Sequence, residues 1–151
     1  MILVIGYGNS FCGDDCIGPC AAELLAEQGI PELQCIAVHQ LTPELAAPIS
    51  LADVVFFIDA AYGTTPGEII CRKPPPSVSN ALSHHVDPMG LLDAACILYG
   101  RLPVAYLYSI TGQNFELGQP FSSAVASALP RLLHEMKERI TQCTNLRSQK
   151  A

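Results

Sequence analysis

The sequence predicts an α/β protein, a three-layer α/β/α sandwich built on a mostly parallel central sheet. Short unbroken apolar runs, Ile2-Leu3-Val4-Ile5 and Val54-Val55-Phe56-Phe57-Ile58, have the pattern of strands buried on both faces. Segments with apolar residues at helical spacing lie between the runs, so strands and helices alternate along the chain. No repeat and no shift of composition marks a boundary, and residues 1–151 are read as one domain.

Each element has a local cause. Gly6 closes the first run, and after a loop rich in Gly, Asn and Asp the residues Ile17, Ala21, Leu24, Leu25 and Gln28 recur at helical spacing, with Gly29 as the stop. Cys35-Ile36-Ala37-Val38 reads as a second strand, and Thr42-Pro43-Glu44 supplies the N-cap and first-turn proline of a short helix reaching about residue 47. A third strand is expected over residues 53–58 and a fourth over 68–71, separated by the turn chemistry of Gly63-Thr64-Thr65-Pro66-Gly67. Residues 72–82 hold three consecutive prolines, an extended loop that cannot belong to a sheet interior. Asp87 and Pro88 open a helix that Gly100 ends after Tyr99, and residues 104–110 form the last strand. Val125, Leu129, Leu132, Leu133, Met136 and Ile140 mark one face of a C-terminal helix, which Pro130 is expected to kink or to restart. Residues 144–151 are polar and expected to fray.

Hydrophobic residues make up 50% of the chain, enough for a sizeable core. Charged residues are only 15% and the formal net charge is -6, which excludes a broad electrostatic footprint for nucleic acid or anionic lipid. Proteins or small ligands are the expected partners. The run over 54–58 is far short of the about 20 apolar residues a membrane span needs. The first apolar stretch lacks a basic lead-in and a cleavage site, so a cytoplasmic monomer is expected. The seven cysteines are read as reduced and mostly buried. Cys12, Cys16 and Cys20 lie four apart, but no CxxC pair and no second half accompany them, which favours packing over a metal site.

Ligands of such sheets bind beyond the carboxyl ends of the strands, and those positions are polar here. The first strand leads into Gly6-Tyr7-Gly8-Asn9-Ser10-Phe11-Cys12-Gly13-Asp14-Asp15, the second into His39-Gln40, the third into Asp59, and His84-His85 precede the third helix. Two carboxylates and an imidazole on convergent loops make an O,O,N set suited to nickel, zinc or manganese. Asp14 and Asp15 also stand where one or both would cap the helix starting near Cys16, and Asp59 is equally a strand-end turn residue. A nucleotide-binding loop is the rival for Gly6 and Gly8. Phe11 replaces its third glycine, His39 replaces the acid expected after the second strand, and two aspartates occupy the place of the phosphate. Ser83-His84 as nucleophile and base is a weaker rival, since no G-x-S-x-G elbow is present and sequence neighbours seldom have that geometry.

The string from Gly6 through Asp14-Asp15-Cys16-Ile17-Gly18 resembles the G-x-G-N-x-x-x-G/x-D-D/E-x-x-G signature of the hydrogenase maturation endopeptidases, which process nickel-iron hydrogenase large subunits. The strand ending in Asp59-Ala60 and the Ser83-His84-His85 stretch match the family's later acidic and histidine positions, and the resemblance covers nearly the whole chain. It implies a metal-dependent endopeptidase that removes the C-terminal extension of a nickel-loaded large-subunit precursor. By position it assigns Asp15, Asp59 and His85 as catalytic and metal-binding residues, with His84 the nearby alternative. The nickel would arrive with the precursor, and zinc is another divalent ion such a set would take. Where many members carry Asp-Gly-Gly after the second strand this chain has His39-Gln40-Leu41, similar to the branch serving bidirectional, NAD-linked hydrogenases, so His39, Gln40 and His84 are expected to contact substrate. A maturation chaperone that binds nickel or the precursor without cleaving it uses the same residues and is the alternative.

Overall fold

A computed structural model describes residues 1–74 and 86–148, so most of the triple-proline segment, Ser83, His84 and His85 lie outside the described residues. Strands β1 (Ile2–Tyr7), β2 (Leu33–Val38), β3 (Val54–Ala61), β4 (Ile69–Arg72) and β5 (Val104–Thr111) form one sheet in the order β2-β1-β3-β5-β4. β1 pairs in parallel with β2 and β3, β3 pairs in parallel with β5, and β4 closes the edge antiparallel to β5. Helices α1 (Ile17–Ala26) and α4 (Ser123–Ser148) supply residues to the core on one face, α2 (Ala46–Leu51) and α3 (Pro88–Tyr99) to the core on the other. This is the three-layer sandwich that the alternation predicts. Among the described residues no helix is long and apolar enough to cross a membrane.

Strand alternation divides the apolar runs between the two cores. Ile2, Val4, Val54, Phe56 and Ile58 pack with Ala21, Leu25, Leu132 and Met136. Leu3, Ile5, Val55 and Phe57 pack with Ile49, Leu91 and Ala95. Burial on both faces is why β1 and β3 read as continuous runs, each such side chain contributing about 1.5–3 kcal/mol. α1 comes down on the carboxyl ends of β1 and β3 through two glycines. A Cβ at Gly18 would stand 2.6 Å from the Ile58 carbonyl oxygen, and one at Gly6 would collide with the carbonyl of Gly18.

α3 has the boundaries its capping residues predict. Asp87 accepts a hydrogen bond from the Gly90 amide at 2.7 Å, and Gly100 ends the helix at φ +66°. β3 runs past the expected end at Ile58, because Asp59, Ala60 and Ala61 pair with Ser109, Ile110 and Thr111 of β5. Asp59 therefore lies inside a strand and not in a turn after it. α4 is continuous with Pro130 inside it, so no second helix starts there, and it extends beyond Cys143 to Ser148. Val125, Leu132, Met136 and Ile140 anchor it on both sides of the proline, which offsets the lost backbone hydrogen bond. The seven cysteines are free, but none is fully buried: Cys96 is exposed and the others half-buried, against the expectation of mostly buried thiols.

Candidate active site

Asp59 follows Val55 and Phe57 on one face of β3, by the two-residue period of a strand. Val55 and Phe57 are covered by α2 and α3, whereas Asp59 is the next position of the same row, toward the carboxyl end of the sheet. Ser109 of β5 stands opposite it, and the pairing of Gly6 with Ile58 brings Tyr7, the last residue of β1, alongside. Burial pushes the Asp59 carboxyl up, the Tyr7 hydroxyl pulls it down, the negative charge of Asp15 raises it, and the Ala60 amide lowers it, leaving it at about 6. A carboxyl balanced near neutrality can both hold and release a proton.

Asp15 reaches the same place through the loop after β1. Gly8 adopts φ +148°, where a Cβ would collide with the Asp15 carbonyl, so the loop folds back on itself only without a side chain there. The Asp15 carboxylate accepts the Asn9 amide at 2.6 Å, and the Asn9 side chain in turn accepts the Phe11 amide at 2.9 Å. A short 3-10 helix, Gly13–Cys16, then leads into α1.

Asp14 goes elsewhere. It is fully buried and accepts the amides of Gln113 at 2.7 Å, Asn114 at 2.9 Å and Ser122 at 2.7 Å, tying the loop after β1 to the loop after β5. Burial pushes its carboxyl up, and the three amides together outweigh that and hold it below the ordinary carboxylate value. The expectation that one or both aspartates cap the following helix is thus corrected: no side chain caps either the 3-10 helix or α1. Both carboxylates are satisfied by loop amides instead.

Tyr7, Gly8, Asp15, His39, Gln40, Leu41, Asp59 and Val86 line one cleft of about 500 Å³. Asp15, Asp59, His39 and Gln40 are therefore gathered at one rim, while His84 and His85 lie outside the described residues. A second cavity of about 300 Å³ shares Tyr7 and Asp59 and continues to Arg72, Asp87, Met89 and Leu107. Tyr7 was not singled out by motif or spacing. The available signal was its place two residues after Ile5, on the row that Leu3 and Ile5 bury. Among the described residues no group of three or more His, Cys, Asp or Glu side chains is placed to hold a metal ion. Two neighbouring carboxylates still favour a divalent cation that brings further ligands of its own, and they oppose a phosphate.

No family model and no curated protein matches this sequence. Among solved structures it is similar to the hydrogenase maturating endopeptidase HybD of Escherichia coli, with 22% identity, a TM-score of 0.77, and 94% of this chain covering 93% of that one. It is likewise similar to the NiFe hydrogenase maturation protease HycI of Thermococcus kodakarensis KOD1, at 24% identity and TM-score 0.71, with 91% and 90% covered. An endopeptidase from Escherichia coli matches at 25% identity and TM-score 0.69, over 89% and 88% of the two chains. The chain thus has the fold of these hydrogenase maturation proteases over about nine-tenths of its length.

Proposed function

We propose that the chain is an endopeptidase that removes the C-terminal extension of a nickel-loaded hydrogenase large-subunit precursor. The observation that carries this is the meeting of Asp15 and Asp59, from separate elements, in one open cleft with His39 and Gln40. The fold supports it. In this reading Asp15, Asp59 and His85 engage the nickel that the precursor brings, so that only loaded substrate is gripped and cut. The ion would supply polarisation of the scissile carbonyl, and Asp59 is the carboxylate that would accept the proton of the attacking water. His39 and Gln40 at the cleft wall, in place of an aspartate, support assignment to the branch serving bidirectional hydrogenases in the cytoplasm.

Mass spectrometry of the precursor tests the proposal. Purified protein is expected to shorten nickel-loaded precursor and to leave nickel-free precursor intact. Asp15→Asn, Asp59→Asn and His85→Ala should each slow cleavage by about 100-fold or more. Normal processing by all three variants would defeat the assignment, and binding without loss of mass in the presence of nickel would favour a chaperone.

A further inference from the structure

Asp59 sits beside a like charge, on a side chain whose terminal torsion is broad and roughly two-fold, so packing alone does not hold its carboxylate in one orientation. We propose that Tyr7 is the positioning residue of the cleft, holding the Asp59 carboxylate in the orientation that faces Asp15 and the substrate. This rests on the proteolytic reading above.

The geometry places the two groups together. Parallel pairing of β1 with β3 sets Tyr7 level with Asp59, and both residues line the 500 Å³ cleft and the 300 Å³ cavity, so the pair forms the wall between them. From this position the Tyr7 hydroxyl is placed to donate to the Asp59 carboxylate, while the Tyr7 ring packs against the core under α2 and α3. The ring is thereby held by packing and the carboxylate by the ring. Asp87 at the start of α3 and Arg72 at the end of β4 line the same 300 Å³ cavity. A phenol is un-ionised at neutral pH, so the hydroxyl is a donor. An ionised carboxylate has several acceptor sites, so a hydroxyl on one side leaves acceptor capacity free on the side of the cleft.

Tyr7→Phe keeps the ring and removes the hydroxyl. In processing of nickel-loaded precursor, kcat is expected to fall about 10–100-fold, the range seen when a partner of a functional ligand is removed. KM should stay within about twofold and the melting temperature should not change, because the packing is retained. A crystal structure of the variant is expected to show the Asp59 side chain rotated from its wild-type position. Wild-type kcat in Tyr7→Phe while Asp59→Asn is inactive overturns the inference and leaves the proteolytic reading intact. So does a slowed variant whose Asp59 has not moved, or one in which kcat, KM and melting temperature all deteriorate together. Normal processing by Asp59→Asn overturns both.

Discussion

The Asp14 carboxylate is sealed inside the protein with three backbone amides pointed at it, whereas the Asp59 carboxylate lies at the rim of an apolar floor next to another negative charge. Burial acts in the same direction on both. The difference is in the donors: three amides together with the Ser122 side chain overcome the desolvation of Asp14 and hold its carboxyl low, while one hydroxyl and one amide fail to overcome it at Asp59, which is left near 6. The first arrangement is what a structural tie needs. The second has an unrelieved electrostatic cost, which a cation in the cleft would remove.

Replacing Asp14 by Ala should have the largest effect on stability, since three amides lose their acceptor, at roughly 3–5 kcal/mol. The urea midpoint reads it. Asp59→Asn in the same assay at neutral pH should leave stability unchanged or raise it, because a desolvated charge beside Asp15 disappears. An Asp14→Ala protein as stable as the wild type would end the distinction between the two sites.

The two aspartates should also respond to pH in opposite senses. Asp14, with its folded value depressed, adds stability that is complete above the ordinary carboxylate value of about 4 and is lost as pH falls through its lower folded value. Asp59, with its folded value raised, adds stability that is complete below about 4 and is lost as pH rises through about 6. The advantage of Asp59→Asn over the wild type should therefore shrink from pH 7 to pH 4, while the deficit of Asp14→Ala persists to about 4 and closes only below it. Urea titrations across this range check both. The smallest expected effect is that of His39→Ala, which lines the cleft: a change of KM by about 2–10-fold with little change of kcat, measured on the same precursor.

Legibility followed the range of the interactions involved. α3 could be read from its own residues, because Asp87, Pro88 and Gly100 act within one turn of the ends they set. The apolar runs of β1 and β3 announced a doubly covered sheet for a similar reason. The end of β3 could not be read, since Asp59, Ala60 and Ala61 are strand only by pairing with β5. Residue type and spacing alone did not separate Asp14 from Asp15, and only the motif resemblance picked Asp15, because the partners that separate them are Asn9 for one and Gln113, Asn114 and Ser122 for the other. Asp15, Asp59, His39 and Gln40 could be nominated because strand ends converge in parallel sheets. Tyr7 was hidden in the core pattern it extends.

The three amides that hold Asp14 also set an order of events during synthesis. The carboxylate is made early and its partners late, so a nascent chain ending before Gln113 has none of the three amides, and one ending before Ser122 has two. In the folded protein the glycine loop is tied to residues that follow β5 and to the residue that precedes α4. A fragment that lacks Ser122 therefore lacks part of the tie between the loop after β1 and the loop after β5.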